Sequence, residues 1–294
     1  MSDPVHIPDS DEDLLKECNV DTFRAGGKGG QHLKKTAQAK TGNGRLMLQS
    51  FQIIGYSGGV PTQDRGVTCV MVSTTNYDVM IDCGEGSYLR WQKAGYKWKN
   101  LKYILITHMH PDHIGGLIPL LFYRKIFGID STLTLIGPPQ LQNYFDDCFR
   151  HSGLINKQDF QWIDISADDQ LIIQDDIKIQ ALEMKHKIPC WGYRISDAGK
   201  NLVFITDTLP NSNAVKLAEN ADVFIHEATF GHHLREKAKE HFHTTEIQAM
   251  EIADEAKVKR LILTHFSPRL TDKDVQDWSW NGKPCIVFDE KVEI

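Results

Sequence analysis

Long apolar runs are missing from this 294-residue sequence. No stretch approaches the roughly 20 consecutive apolar residues that a membrane-spanning helix needs. The first residues carry acids where a secretory leader would carry a basic stretch and then an apolar one. Clustered cysteine is missing too. Cys18, Cys69, Cys83, Cys148, Cys190 and Cys285 are scattered, with no C-x-x-C pair. That pattern fits reduced, packed thiols in a cytoplasmic protein and speaks against a disulfide framework. The third absence is an excess of positive charge: 33 Lys and Arg stand against 39 Asp and Glu, a net charge of −6. A global positive field that gathers nucleic acid is therefore excluded, and contact with RNA would need a local patch.

What is present is an ordinary globular balance, 41% hydrophobic and 24% charged residues, enough for a sizeable core. Residues 1–45 stand apart. The first 21 are acidic, and 22–45 are basic and glycine-rich around Gly26-Gly27-Lys28-Gly29-Gly30. With few apolar side chains to bury, 1–45 reads as a disordered extension. From residue 46 to 294, strand-length apolar runs recur, at 46–54, 67–73, 77–81, 103–107, 133–136, 171–182, 192–195, 202–206, 223–226, 261–264 and 285–288. Helical spacing separates several of them, at 87–93, 114–127, 213–218 and 245–256. Strands with helices between them predict an α/β fold of two sheets sandwiched by helices.

The densest chemical signal follows the run at 103–107: His108-Met109-His110-Pro111-Asp112-His113. Sheets present side chains to a cleft at strand ends, and imidazoles beside a carboxylate suit zinc or a similar first-row ion. Three more donors, His186, Asp207 and His265, stand just past apolar runs. Singly each reads as a solvated turn residue; together with the first cluster they read as one site at the edge of a sheet sandwich.

This set, His108-x-His110-x-Asp112-His113 with His186, Asp207 and His265, resembles the metallo-β-lactamase superfamily. From about residue 48 to 294 the chain looks like its ribonuclease Z branch. Gly55-Tyr56-Ser57-Gly58-Gly59-Val60-Pro61-Thr62 with Arg65 resembles that branch's first loop, and Asp82-Cys83-Gly84-Glu85-Gly86 its second motif. His226-Glu227-Ala228-Thr229, His243-Thr244 and Thr264-His265-Phe266-Ser267-Pro268-Arg269 resemble its later ones. The resemblance implies a four-layer αββα sandwich and a homodimer. It implies two zinc ions, with manganese or iron as alternatives. His108, His110 and His186 would hold one ion and Asp112, His113 and His265 the other, with Asp207 bridging and Asp82 orienting a ligand histidine. It implies phosphodiester hydrolysis, with tRNA precursors as the family's substrate. Asp112 would accept the proton of the attacking water. His243, oriented and kept protonated by Glu227, would protonate the leaving oxygen. His241 is the rival acid, and Thr244 would cap the helix after it. Arg65 and Arg269 would contact substrate phosphate, a surface salt bridge being the alternative for each.

Two features depart from that pattern: Pro111 stands where a small residue is usual, and an arm is missing. Ribonuclease Z enzymes carry a protruding basic arm between the ligands matching His186 and Asp207, but here those residues stand too close in sequence for one. A hydrolase of small phosphodiesters or other small esters is therefore the second reading, and a non-catalytic RNA- or ribosome-binding module the third. A basic, aromatic stretch from Tyr88 to Lys102 reads either as a nucleic-acid contact or as a packed amphipathic segment. In addition, Asp21 to Thr36, around Gly29-Gly30-Gln31, resembles the Gly-Gly-Gln loop of class I peptide chain release factors. Lacking that family's scaffold, it reads as a basic tail that touches RNA or the ribosome, or as a plain extension.

Overall fold

Six strands and a short terminal one make the first sheet of the computed structural model, which describes residues 47–152, 159–166, 170–174, 177–197 and 199–294. They are β1 (Leu48–Gly55), β2 (Cys69–Thr74), β3 (Asp78–Ile81), β4 (Leu101–Leu105), β5 (Thr134–Gly137) and β6 (Gln161–Asp164), side by side in that order. Lys291–Glu293 pairs with the outer edge of β1. The second sheet has the order β12-β11-β10-β9-β8-β7. Its strands are β7 (Gln170–Gln174), β8 (Ile177–Met184), β9 (Cys190–Ser196), β10 (Asn201–Ile205), β11 (Val223–Glu227) and β12 (Leu261–Thr264). The expected extension, 1–45, with its Gly-Gly-Gln segment, lies outside the described residues.

Strand alternation sets the layers. Val70 and Val72 of β2, Val79 and Ile81 of β3, and Tyr103 and Leu105 of β4 join one core, together with residues of the second sheet such as Ile179, Tyr193, Phe204 and Ile225. The intervening Cys69, Met71, Met80 and Ile104 join another core, packed on Leu117, Leu120, Leu121 and Phe145 from the helices Leu117–Ile126 and Pro139–Ser152. Helices Ser212–Ala218 and Glu246–Glu255 bury Ala214, Leu217, Ala249 and Ile252 against the second sheet. A period of two along each strand thus feeds two apolar interfaces. Strands covered on both faces read as continuous apolar runs, which explains 103–107 and 261–264. The result is the expected α/β sandwich of four layers.

The structure corrects several local expectations. The run 171–182 belongs to an antiparallel pair, β7 and β8, not one strand. The helical run 114–127 is two helices, Pro111–Ile114 and Leu117–Ile126, separated by Gly115-Gly116. Residues 285–288 form no strand; the Cys285 carbonyl accepts from Leu263 N–H at 2.8 Å instead. The helix Pro139–Ser152 and strand β6 were not anticipated, although Leu141, Phe145 and Phe149, four apart and all buried, carry the helical signal. In the stretch from Tyr88 to Lys102 the rings are spent on packing. Trp91 and Trp98 lie 4.7 Å apart, and Tyr88 lies 4.7 Å from Tyr123 of the neighbouring helix.

Candidate metal centre

All seven donor side chains expected from the sequence meet at one edge of the sandwich. β4 runs through Thr107 and His108-Met109-His110 into the short helix Pro111–Ile114, which carries Asp112 and His113, and Tyr193 of β9 clamps the strand end by donating to the Ile106 carbonyl at 2.6 Å. Asp82 follows β3, Asp207 follows β10 and His265 follows β12. All three adopt left-handed backbone angles, φ 58, 48 and 58°. A non-glycine residue in that region costs about 1–3 kcal/mol and persists where surrounding structure enforces it, often at functional sites. Here it turns each side chain off its strand and into the cleft. Close backbone approach does the rest. A Cβ on Gly84 would sit 2.2 Å from the Asp112 carbonyl oxygen, and one on Gly58 would sit 2.8 Å from the His265 ring. Glycine lets these loops touch the metal-donor residues.

The donors form two groups that share Asp207: His108, His110, His186 and Asp207, and Asp112, His113, His265 and Asp207. In the first, His108 Nε2 and His186 Nε2 lie 2.9 and 3.3 Å from His110 Nδ1. Asp207 Oδ2 lies 3.6 Å from His108 Nε2 and 3.8 Å from His186 Nε2. The other oxygen, Oδ1, lies 3.3 Å from His113 Nε2 and 3.1 Å from His265 Nε2. Asp112 Oδ2 closes the second group, 3.3 Å from His113 Nε2 and 3.4 Å from His265 Nε2. Donors bound tetrahedrally at about 2.0–2.1 Å stand about 3.3 Å from one another, so both groups have the spacing of a first-row coordination shell.

Charge supports the same fit. His113 is fully buried and its Nε2 has no hydrogen-bond partner among the described residues. Burial disfavours charge on it, yet the Asp112, Asp207 and Asp82 carboxylates raise its pKa well above the ordinary histidine value. Burial likewise opposes charge on Asp112, but His113 and His265 hold that carboxyl below its usual range. For Asp207 burial is again overcome, by His265, His113 and His108. Ionised carboxylates collected in a buried pocket call for positive charge at its centre. The residues present therefore fit two divalent cations.

The histidines are oriented from behind. Asp82 is buried, and its Oδ2 accepts from His113 Nδ1 at 2.7 Å, which leaves Nε2 for the centre. The Thr107 hydroxyl donates to the same Oδ2 at 2.8 Å, and its lone pair faces His108 Nδ1 at 3.0 Å. Burial raises the Asp82 carboxyl above its usual range, opposed by His113 and by the Thr107 amide, which donates to Oδ1 at 2.8 Å. One carboxylate thus sets the tautomer of His113 directly and of His108 through Thr107. Replacing Thr107 by Val should weaken cation binding about 10–100-fold, while Thr107→Ser retains it. Competition with a chromogenic chelator measures this, and equal affinity in wild type and T107V would remove the relay.

Beside the donor groups lies the expected acid pair. Glu227, at the end of β11, is fully buried. Its Oε1 accepts from the Thr208 amide at 2.6 Å; its Oε2 accepts from the Thr229 hydroxyl at 2.5 Å and the Thr244 amide at 3.2 Å. His243 Nδ1 lies 3.1 Å from both oxygens. Burial alone would lower the His243 imidazole, but the Glu227 carboxylate raises it to about 9. His241, the rival, has no such partner: it is exposed and stacks on Phe230. Thr244 donates to the Thr208 carbonyl, and the helix Glu246–Glu255 is capped by Thr245 and Gln248, not by Thr244.

The two arginines separate. Arg269 is exposed and lines the cleft with His110, Asp112, Asp207, His243 and His265. Arg65 is 4% exposed, its Nε donating to Asp272 at 2.7 Å and its Nη1 to the Leu270 carbonyl at 2.5 Å. Buried and saturated, Arg65 ties the first loop to residues 270–272, which corrects its reading as a phosphate contact. Gly59 and Thr229 belong to quoted motifs, but their contacts carry no spacing signal: the Gly59 amide donates to Asp112 Oδ2 at 2.8 Å, and the Thr229 hydroxyl lies 2.9 Å from His265 Nδ1.

Comparison with known proteins places this geometry. Residues 77–266 match the model of the β-lactamase superfamily domain. Ribonuclease BN of Proteus mirabilis is 31% identical over 76% of this chain and 91% of its own length. Ribonuclease Z of Enterococcus faecalis is 30% identical over 76% and 88%. The crystal structure of human tRNase Z, short form, superposes with a TM-score of 0.68 at 27% identity, covering 75% of this chain and 93% of that one. The chain belongs to the β-lactamase superfamily and, within it, to the ribonuclease Z and BN branch.

Proposed function

We propose that the protein is a two-metal phosphodiesterase of the ribonuclease Z type that removes 3′ extensions from tRNA precursors. Membership of its family makes it a metal-dependent hydrolase. The observation that carries the finer reading is Asp207, whose two oxygens face two separate sets of imidazoles, with the His243–Glu227 pair alongside. Bound there, a pair of divalent ions supplies Lewis acidity towards a phosphoryl oxygen and a water of lowered pKa. Zinc suits the nitrogen-rich donor set, with manganese or iron as alternatives.

The chain's own residues do the remaining work. His108, His110 and His186 hold one cation and Asp112, His113 and His265 the other. Asp112, kept ionised and held by the Gly59 amide, accepts a proton from the attacking water. With Nδ1 committed to Glu227, His243 delivers a proton from Nε2 to the leaving oxygen. Arg269 meets a substrate phosphate at the rim. Residues 46–294 form the catalytic domain, and 1–45 an appended tail with a basic segment for RNA or ribosome contact. A homodimer and a cytoplasmic setting complete the proposal. The described cysteines are free thiols, as in a reducing compartment, and no helix among the described residues is long and apolar enough to cross a membrane.

One observation favours the second reading, a hydrolase of small phosphodiesters. Between His186 and Asp207 the described residues make the antiparallel pair β9–β10, and the spacing leaves no room for an arm. The match to the Proteus relative runs over 277 residues, more than the 76% of this chain that takes part, so that relative holds residues without a counterpart here. An assay of purified, metal-analysed protein on a 3′-extended tRNA precursor and on bis-p-nitrophenyl phosphate separates the readings. The proposal expects both to be cleaved, and the precursor at one site. Cleavage of the small diester alone selects the second reading. Bound metal with no turnover of either selects the non-catalytic RNA-binding module.

A further inference from the structure

Without an arm, grip on the nucleotides beside the metal centre has to come from the walls of the cleft, so its unspent side chains matter. Arg90, Arg124 and Arg194 are spent on backbone carbonyls and, for Arg90, on Asp289; Lys125 and Lys259 pair with Asp159 and Asp222. Lys237 differs. It lines the cleft, is half-buried, and has no side-chain hydrogen bond or ion pair among the described residues. It belongs to the short helix Arg235–Glu240, whose next residue, His241, continues the turn through its amide to the Lys237 carbonyl at 3.1 Å. Four residues apart, Lys237 and His241 share one face, and both line the cleft, while Ala238 points into the core.

The same wall carries a stacking surface. The His241 ring lies nearly parallel to Phe230, 20° between planes and 6.0 Å between centroids, and His241 is exposed. Phe230 also contacts the proposed acid, its ring 6.0 Å from that of His243. The cleft measures about 480 Å³, within the range of small-ligand sites, and suits a nucleotide at a time, not a duplex.

We propose that Lys237, His241 and Phe230 form a nucleotide subsite for single-stranded RNA. A base stacks on the His241–Phe230 pair and Lys237 meets a phosphate flanking the scissile one. Through Phe230 the subsite adjoins His243, so it holds the nucleotide on the side of the bond whose oxygen that histidine protonates. This inference rests on the phosphodiesterase reading of the metal centre.

The test compares wild type with Lys237→Ala, His241→Ala and, as a control, Lys239→Ala, an exposed cation of the same helix that does not line the cleft. Each is assayed on bis-p-nitrophenyl phosphate, which has no base, and on a single-stranded RNA tetranucleotide. Fluorescence anisotropy with a labelled tetranucleotide measures binding independently of turnover. Losing a base stack or a phosphate contact should raise KM and Kd for the tetranucleotide about tenfold. Lys237→Ala should also make the salt dependence of binding shallower by about one unit. Constants for the small diester and for Lys239→Ala should stay within about twofold. Unchanged tetranucleotide binding in both cleft variants overturns the subsite, as does an equal loss on both substrates. Were wild-type protein with bound metal to cleave nothing, the phosphodiesterase reading would fail, and the anisotropy series would still decide whether these side chains hold a nucleotide.

Discussion

Replacing His243 by alanine should lower kcat on a poor-leaving-group phosphodiester about 10²–10⁴-fold, the usual contribution of a positioned proton donor, with bound metal unchanged. The His243 ring lies 5.6 Å from that of His186 and 5.5 Å from that of His265 between centroids, and it belongs to neither donor group that shares Asp207. Its firm partner is Glu227. The effect should shrink for p-nitrophenolate, which leaves without needing a proton. The pH sign follows from the same pair. Burial works against charge, but Glu227 wins and raises His243 to about 9, above the free value of 6.5. The imidazolium's contribution to stability is thus fully present below about 6.5 and lost as pH rises through about 9. The acid function fails in the same direction, kcat falling on the alkaline side; nearby cations move that limb to lower pH without changing its sign. Glu227→Gln removes the carboxylate and should shift the limb to lower pH. A pH–rate profile of Glu227→Gln matching wild type, or near-normal kcat in His243→Ala, would leave the leaving group to another donor.

The second large effect belongs to Asp207. Its two oxygens face different donor groups, so Asp207→Ala should weaken cation binding at both and bring activity to background, whereas a change at His186 or His265 removes a donor from one group only. Stability reports the same linkage. A cation present at 100 times its dissociation constant stabilises the folded state by about 2.7 kcal/mol, about 5–10 °C in Tm for a domain of this size. Chelation removes two such cations, so it should lower the wild-type Tm by about twice that amount and leave Asp207→Ala nearly unmoved, as read by scanning calorimetry with and without EDTA. A chelator response equal to wild type would mean that Asp207 bridges nothing.

How much of this was legible in the sequence depended on how each residue acts. The donors could be read because His108 to His113 crowd one loop and because His186, Asp207 and His265 each stand just past a buried run. Burial of strands on both faces produced those runs. Asp82, Glu227 and His243 came through the family resemblance, since a lone carboxylate or imidazole carries no spacing signal. Thr107, Thr229 and the Gly59 amide were silent. A threonine hydroxyl or a backbone N–H becomes functional only when the fold aims it at a particular ring or carboxylate. For Arg65 the salt-bridge alternative holds over the phosphate contact, and spacing could not separate the two because its partner, Asp272, lies more than two hundred residues away in the chain. Lys237 and His241 mark a cleft wall only once Phe230 and the helix Arg235–Glu240 are in place. At the level of elements, the pair β7–β8 reads as one run although the polar Gln174-Asp175-Asp176 stands inside it, and apolar spacing carries the helix 114–127 across Gly115-Gly116, where the structure has two helices.

The arrangement of seven donors around a shared carboxylate is tested most directly by anomalous diffraction from zinc-loaded crystals, with elemental analysis of the same preparation. Two ions per chain are predicted, one within bonding distance of His108, His110 and His186, the other of Asp112, His113 and His265, with Asp207 touching both. A chain that takes up no zinc at excess metal, or that binds it elsewhere with these seven side chains unliganded, would contradict the account.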